Sequence, residues 1–422
     1  MPGTCRFLQQ GMVGMALFLL SACERPEPAG TSRTSAEAAE GASSAFQQAL
    51  LADPIISDLT SAYLDQILID YRQAQDSAEA LRQSVVGLLD NPSDSTLAQA
   101  RQSWLTAHDD YAATTLHGYF LQALPARNTS GVSMDLAMER LHYQMDYWPI
   151  LAGYVDYLAD YPDSGLVGDM TVPLSREAII QQHGVFDLSE VLLGFHPLEF
   201  LLWGEPVSAA PGQRPWSDYL EETQLTSEQA ADGLQLTQLT NNRRRQLLNL
   251  VSDLLVKDIE AARQLWSSNR SGLRDLLASL SGPRQLGLLL ESMSAVITEE
   301  IMVKSLSPLL NGDYENSLHS VYSHSSARAA RAQLQRIESL LSTAAATTVT
   351  LEVMLAELMP DFSQVFYQNL DAGQQCLEQL YLTVAQNSDP DVAMTIESEI
   401  VECINYMGNL TNTLRLAAAG MP

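Results

Sequence analysis

The sequence predicts an all-α protein, imagined as two packed helical bundles that follow a signal peptide and a flexible tether. Three observations carry this. Apolar residues return at intervals of three and four through most of the chain, as one face of a helix requires. Turn-forming clusters such as Asn91-Pro92-Ser93 and Asn387-Ser388-Asp389-Pro390-Asp391 punctuate those stretches. No series of short alternating strands with regularly spaced turns occurs, so sheets are not expected. At 422 residues the chain exceeds what one hydrophobic core usually organises, hence two bundles.

The chain opens on one cation, Arg6, and an apolar run over 11–20 that is too short to span a bilayer. The run ends in Leu20-Ser21-Ala22-Cys23, which resembles the lipobox of bacterial lipoproteins. That resemblance implies removal of residues 1–22, lipidation of Cys23 and, with Glu24 next in line, location at the periplasmic face of the outer membrane. Residues 23–46 then read as the lipidated cysteine and a tether of Pro, Ser, Ala, Gly and Glu without apolar period.

A first bundle is expected over 47–212. Ile55, Leu59, Tyr63, Ile67 and Ile69 mark its first helix, and a second follows over 97–124 across Asn91-Pro92-Ser93. Residues 133–160 are again periodic, whereas 161–240 hold Pro162, Pro173, Pro206, Pro211 and Pro215, and 213–240 read as the connecting loop region. A second bundle is expected over 241–422. It opens on Asn241-Asn242-Arg243-Arg244-Arg245, arginines expected to pair with carboxylates or to face solvent. Its last two helices flank the turn at 387–391, with Cys376 13 residues before Asp389 and Cys403 13 after Pro390, so an antiparallel hairpin sets the thiols opposite one another. A Cys376–Cys403 disulfide is expected, worth about 3.5 kcal/mol by loop-closure reasoning.

Composition narrows the function. Lys and Arg number 23 against 51 Asp and Glu, a formal net charge of −28 that repels phosphate backbones, so nucleic acid is excluded as a partner. There is no HExxH, GxxxxGK, GxSxG, GxGxxG or CxxC. What stands out is Gly194-Phe195-His196-Pro197-Leu198-Glu199-Phe200-Leu201-Leu202-Trp203-Gly204. On a helix, His196 and Glu199 share a face, so imidazole and carboxylate can take one metal ion together. The same residues also read as a cap, with His196 at the N-cap, Pro197 at the first helical position and Glu199 reaching back to the cap N–H. Histidine is a poor N-cap, which leaves both readings open.

These eleven residues resemble the GxHxxE segment of the imelysin family, bacterial envelope proteins linked to iron-regulated uptake and named for an insulin-cleaving activity. Asp146-Tyr147-Trp148-Pro149-Ile150 with Tyr154-Val155-Asp156 resembles the family's Trp-Pro segment. Residues 104–111, WLTAHDDY, resemble its Trp-x-x-Ala-Arg-x-x-Tyr helix, with His108 where arginine is usual. The stretch from His319 to Ser326 resembles a His-Ser-x-aromatic-Ser-Asp-x-Thr stretch, with His324 in place of the aspartate. The resemblance covers roughly 55–410 and implies an all-α fold with GxHxxE near the interface of two bundles.

The expected function is a lipid-anchored periplasmic protein that binds a metal ion, a divalent metal or iron, or an iron-bearing ligand, in iron uptake with an envelope transport partner. Its expected ligands are His196, Glu199, Asp146, His319 and His324. The alternative is a metallopeptidase using His196 and Glu199, which lacks the second histidine of HExxH and asks Glu199 to be both ligand and base. His117, His142 and His183 are expected to be ordinary core or polar residues.

Overall fold

The computed structural model describes residues 53–125, 133–206, 211–313, 316–342, 349–386 and 392–420, and Gln47–Pro422 form one compact unit. The signal segment 1–22, Cys23 with its tether, and the turn at 387–391 lie outside the described residues. Among the described residues there is no β-strand, and no helix is long and apolar enough to cross a membrane.

Helix α1, Asp53–Asp90, and helix α2, Asp94–Ala112, form the first hairpin. Ser93 closes it as a capping box: its Oγ accepts the Thr96 N–H at 3.3 Å, and Thr96 Oγ1 accepts the Ser93 N–H at 3.0 Å. Ile56, Leu59, Tyr63 and Ile67 are buried on α1. Ile69 is not: it lies about 200° round the helix from Ile67 and is 57% exposed. The expected second helix breaks into α2 and a short α3, Thr115–Ala123. Helix α4, Met134–Asp146, follows, and after several short turns comes α5, Phe195–Trp203, every residue of which is buried.

Helix α6, Thr240–Ala278, makes its most extensive contact with α1 and also packs on α4 and α5. The arginines at its start do something other than expected. Arg243 donates to the carbonyl oxygens of Leu166, Val167, Asp169 and Val172 at 2.6–3.0 Å, and Arg245 to those of Leu89 and Tyr219. Only Arg244 meets a carboxylate, Asp156, at 2.6 and 3.2 Å. The short turns and loops before α6 and the last turn of α1 leave carbonyls without helical partners, and a guanidinium with five N–H groups satisfies several of them at once.

Helix α7, Gly282–Ala295, runs on as a π-helical segment, Val296–Leu306, and a last α turn, Ser307–Leu310. Helix α8, Ser326–Ser342, helix α9, Leu351–Leu358, and the hairpin of α10, Phe362–Gln386, with α11, Val392–Ala419, complete the chain. The Cys376–Cys403 disulfide joins α10 to α11 with the Cα atoms 5.5 Å apart. Packing of α7 on α3 and of α8 on α2 brings late segments of the chain against early ones. The segment before α8 thereby meets α2, α4 and α5.

Candidate metal centre

Helix α2 presents Trp104 and His108, four residues apart, on one buried face with their rings stacked at 4.8 Å. Trp104 Nε1 donates to the Phe195 carbonyl at 2.8 Å, which pins the start of α5 to α2. Gly194 pins it to α4. Its φ is +95°, and a Cβ there would stand 2.3 Å from the Met145 carbonyl oxygen, so only glycine lets the two helix ends meet. Asp146, the last residue of α4, and His196, the second residue of α5, are thereby neighbours.

Asp146 is the hub. Its Oδ1 lies 3.0 Å from Nε2 of His108 and 3.3 Å from Nε2 of His196, while Oδ2 lies 3.5 Å from Nε2 of His319. The ring centroids of His108, His196 and His319 are 4.7–5.5 Å apart. One nitrogen or oxygen from each of the four residues falls within 4.8 Å of all the others. His319 arrives from outside any helix. Ser305 Oγ donates to the Ser317 carbonyl at 2.7 Å and the Gly212 N–H to that of Tyr322 at 2.9 Å, anchoring its segment at both sides.

Glu199 stands behind the centre. Its Oε2 bonds Nδ1 of His196 at 3.1 Å, and its Oε1 accepts the Ser323 N–H at 2.8 Å and the Ser323 hydroxyl at 2.6 Å. One carboxylate thus orients the His196 ring and holds the His319 segment. In metal sites this is the outer position, where a carboxylate takes the N–H of a ligating histidine and fixes which nitrogen faces the ion.

The electrostatics are those of a site for a cation. Burial alone would raise the Asp146 pKa, but His319, His108 and His196 around it hold it well below the usual carboxylate range. Burial works to lower that of His196, yet the adjoining carboxylates of Asp146 and Glu199 lift it to about 9. Burial pushes His319 down to about 4, against the pull of Asp146. A proton on His196 therefore sits where a cation would be welcome.

The donor set fits a metal ion. Bonds of about 2.0–2.2 Å in tetrahedral or octahedral order set donor atoms about 3–4.4 Å apart, which the distances around Asp146 already approach. Buried Nε2 of His196 stands 3.3 Å from Asp146 Oδ1 without forming a regular hydrogen bond, a costly condition that coordination relieves. His108, Asp146, His196 and His319 would hold the ion.

Of the residues singled out in the sequence, His196, Asp146 and His319 come together. Glu199 bonds the far nitrogen of His196, and the helix begins at Phe195 with Gly194 as N-cap, so Glu199 engages a side chain and not the cap N–H. His324, at φ +55°, lies near Glu199 and outside the four-residue cluster; burial lowers its pKa, with the Glu199 charge opposing. His108 was missed. Its signal was present in the departure from arginine within WLTAHDDY, four residues after a buried tryptophan. His117, expected to be an ordinary core or polar residue, meets Asp70 at 2.8 Å and Tyr63 at 2.9 Å in a buried group that Arg336 completes. His142 bonds Tyr111 at 2.9 Å, and Nδ1 of His183 accepts the Leu192 N–H at 3.1 Å.

Among solved structures, the chain resembles a Parabacteroides distasonis protein described as an iron-regulated protein A precursor. The two are 14% identical with a TM-score of 0.60, and the match covers 88% of this chain and 96% of that one. An imelysin-like protein from Psychrobacter arcticum matches at 14% identity and a TM-score of 0.49, over 85% of this chain and 93% of that one. No curated protein matches it. The peptidase M75 family model, described as imelysin, matches residues 67–412. With that match over most of its length and an all-helical fold around GxHxxE, the chain belongs to the imelysin family.

Proposed function

We propose that the protein is a metal-binding lipoprotein of iron uptake, anchored through Cys23 at the periplasmic face of the outer membrane. It holds one ion through His108, Asp146, His196 and His319, with Glu199 orienting His196, and delivers it to an envelope transport partner. The observation that carries this reading is the convergence of three imidazoles and one carboxylate, buried or nearly so, within 4.8 Å. Imidazole with carboxylate suits iron and zinc alike. The Parabacteroides protein described as iron-regulated weights the choice toward iron.

Binding is favoured over peptidase action because both oxygens of Glu199 are engaged, by His196 and by Ser323, which leaves it poorly placed to activate water. The test is anaerobic titration of metal-free mature protein with Fe²⁺, followed by elemental analysis. One equivalent is expected, with loss of binding in Asp146→Asn and His196→Ala; undiminished uptake in both variants would sink the reading. Lipid anchoring is checked separately, since Cys23→Ser is expected to move the protein from the membrane to the soluble fraction.

A further inference from the structure

An acidic cavity adjoins the centre. A space of about 220 Å³ lies between α2, α3, α4 and the π-helical segment, and its wall includes Tyr111, Asp135, Glu139, His142, Glu300 and Lys304. Glu300 also borders a smaller space of about 20 Å³, whose wall includes Trp148 and the centre's own His319. One carboxylate, 9% exposed, thus borders both an outer chamber and a space of about one water molecule beside His319.

The charge of the chamber favours cations. Asp135 and Glu139 are exposed, Glu300 is not, and the single opposing charge is Lys304. His142 adds none near neutral pH, because burial lowers its pKa, the nearby Asp146 and Glu300 notwithstanding. Tyr119 and Lys304 donate to the same Glu300 oxygen, Oε1, at 2.6 and 2.7 Å. Lys304 is 42% exposed. Glu300 sits in the π-helical segment Val296–Leu306, a geometry that is rare and concentrates at functional sites.

We propose that this acidic chamber is the entry vestibule for a hydrated metal cation and that Glu300 passes the ion toward His319, an inference that rests on the metal-binding reading of the centre. Size supports the order of events. A hexahydrated divalent ion is roughly 7 Å across, from a metal–oxygen distance of about 2.1 Å and a water radius of about 1.4 Å, and the outer chamber accommodates it. The inner space does not, so the ion must shed water where a carboxylate is at hand to replace it. Acidic side chains at the mouth raise the arrival rate of cations, an effect that salt screens.

The test is stopped-flow uptake of Co²⁺ by metal-free full-length mature protein, read from the Co²⁺ absorption bands at low and high salt. Glu300→Gln is expected to slow uptake about tenfold, and the double variant Asp135→Asn with Glu139→Gln to slow it mainly at low salt. Lys304→Met is expected to speed it about threefold. Thermal melts check that each variant folds; because Lys304 is half-exposed, its variant decides the matter even where Glu300→Gln does not fold. Loading of the unsubstituted protein with rates unchanged within twofold in the variants overturns the vestibule alone. Absence of Co²⁺ binding by the unsubstituted protein overturns the metal-binding reading, and the vestibule with it.

Discussion

Glu199 bonds Nδ1 of His196 at 3.1 Å, on the side of the ring opposite the Nε2 that faces Asp146. A ligand and an orienting group respond differently to the same loss. Glu199→Gln is expected to retain one equivalent of metal with affinity reduced 10- to 100-fold, whereas Asp146→Asn loses binding altogether. Calorimetric titration distinguishes them; complete loss in Glu199→Gln would make Glu199 a ligand.

His108 occupies the position where the resembling helix carries arginine. His108→Arg places a guanidinium beside Asp146, neutralising the carboxylate with a charge that cannot be released. Metal binding is expected to vanish while the fold survives, because Asp146 keeps a partner. Retained binding at the original affinity would exclude His108 from the ligand set.

Metal-free stability should pass through a maximum near pH 6.5. Against burial, Asp146 and Glu199 lift His196 to about 9, so its contribution is full below the unfolded value of about 6.5 and is lost as pH rises toward 9. Burial holds His319 and His183 near 4, so their neutral forms cost stability as pH falls from about 6.5 toward 4. Each limb amounts to at most about 3 kcal/mol per group. Melting temperatures in chelator across pH 4–9 test this, and His196→Ala should flatten the alkaline limb; an unaltered limb would refute the assignment.

Asp156 joins two buried guanidiniums, Arg214 at 2.8 Å and Arg244 at 2.6 Å. Asp156→Ala strands both, with an expected loss of about 3–5 kcal/mol in urea unfolding. A loss under about 1 kcal/mol would mean that carbonyls and the Tyr157 ring satisfy the arginines without it.

Reduction of Cys376–Cys403 should lower stability by about 3.5 kcal/mol, since the cross-link closes a sequence separation of 27. Metal stoichiometry should be unchanged, because the bond joins α10 to α11 and neither carries a residue of the centre. A changed stoichiometry would show that the hairpin shapes the site.

Much of the fold was legible because a helix writes its buried face locally, at intervals of three and four residues. The hairpin of α1 and α2 across Asn91-Pro92-Ser93, the all-α class and the Cys376–Cys403 pairing each depend on neighbours in sequence or on symmetry about one turn. Arg243 and Arg245 were misread because the carbonyls they bind lie at the end of α1 and in short turns and loops distant in sequence, which leave no periodic trace near the arginines.

The amino-acid order determined that His196 and Glu199 lie one helical turn apart and that Gly194 precedes them. Only the tertiary structure decided that Asp146, His108 and His319 meet that histidine while His324 stays outside, and that Glu199 turns to its rear nitrogen. Those outcomes rest on which helix faces touch and on separations of an ångström or so. Both arise from packing between distant segments, such as the closeness of Gly194 to the Met145 carbonyl, and no local pattern encodes them.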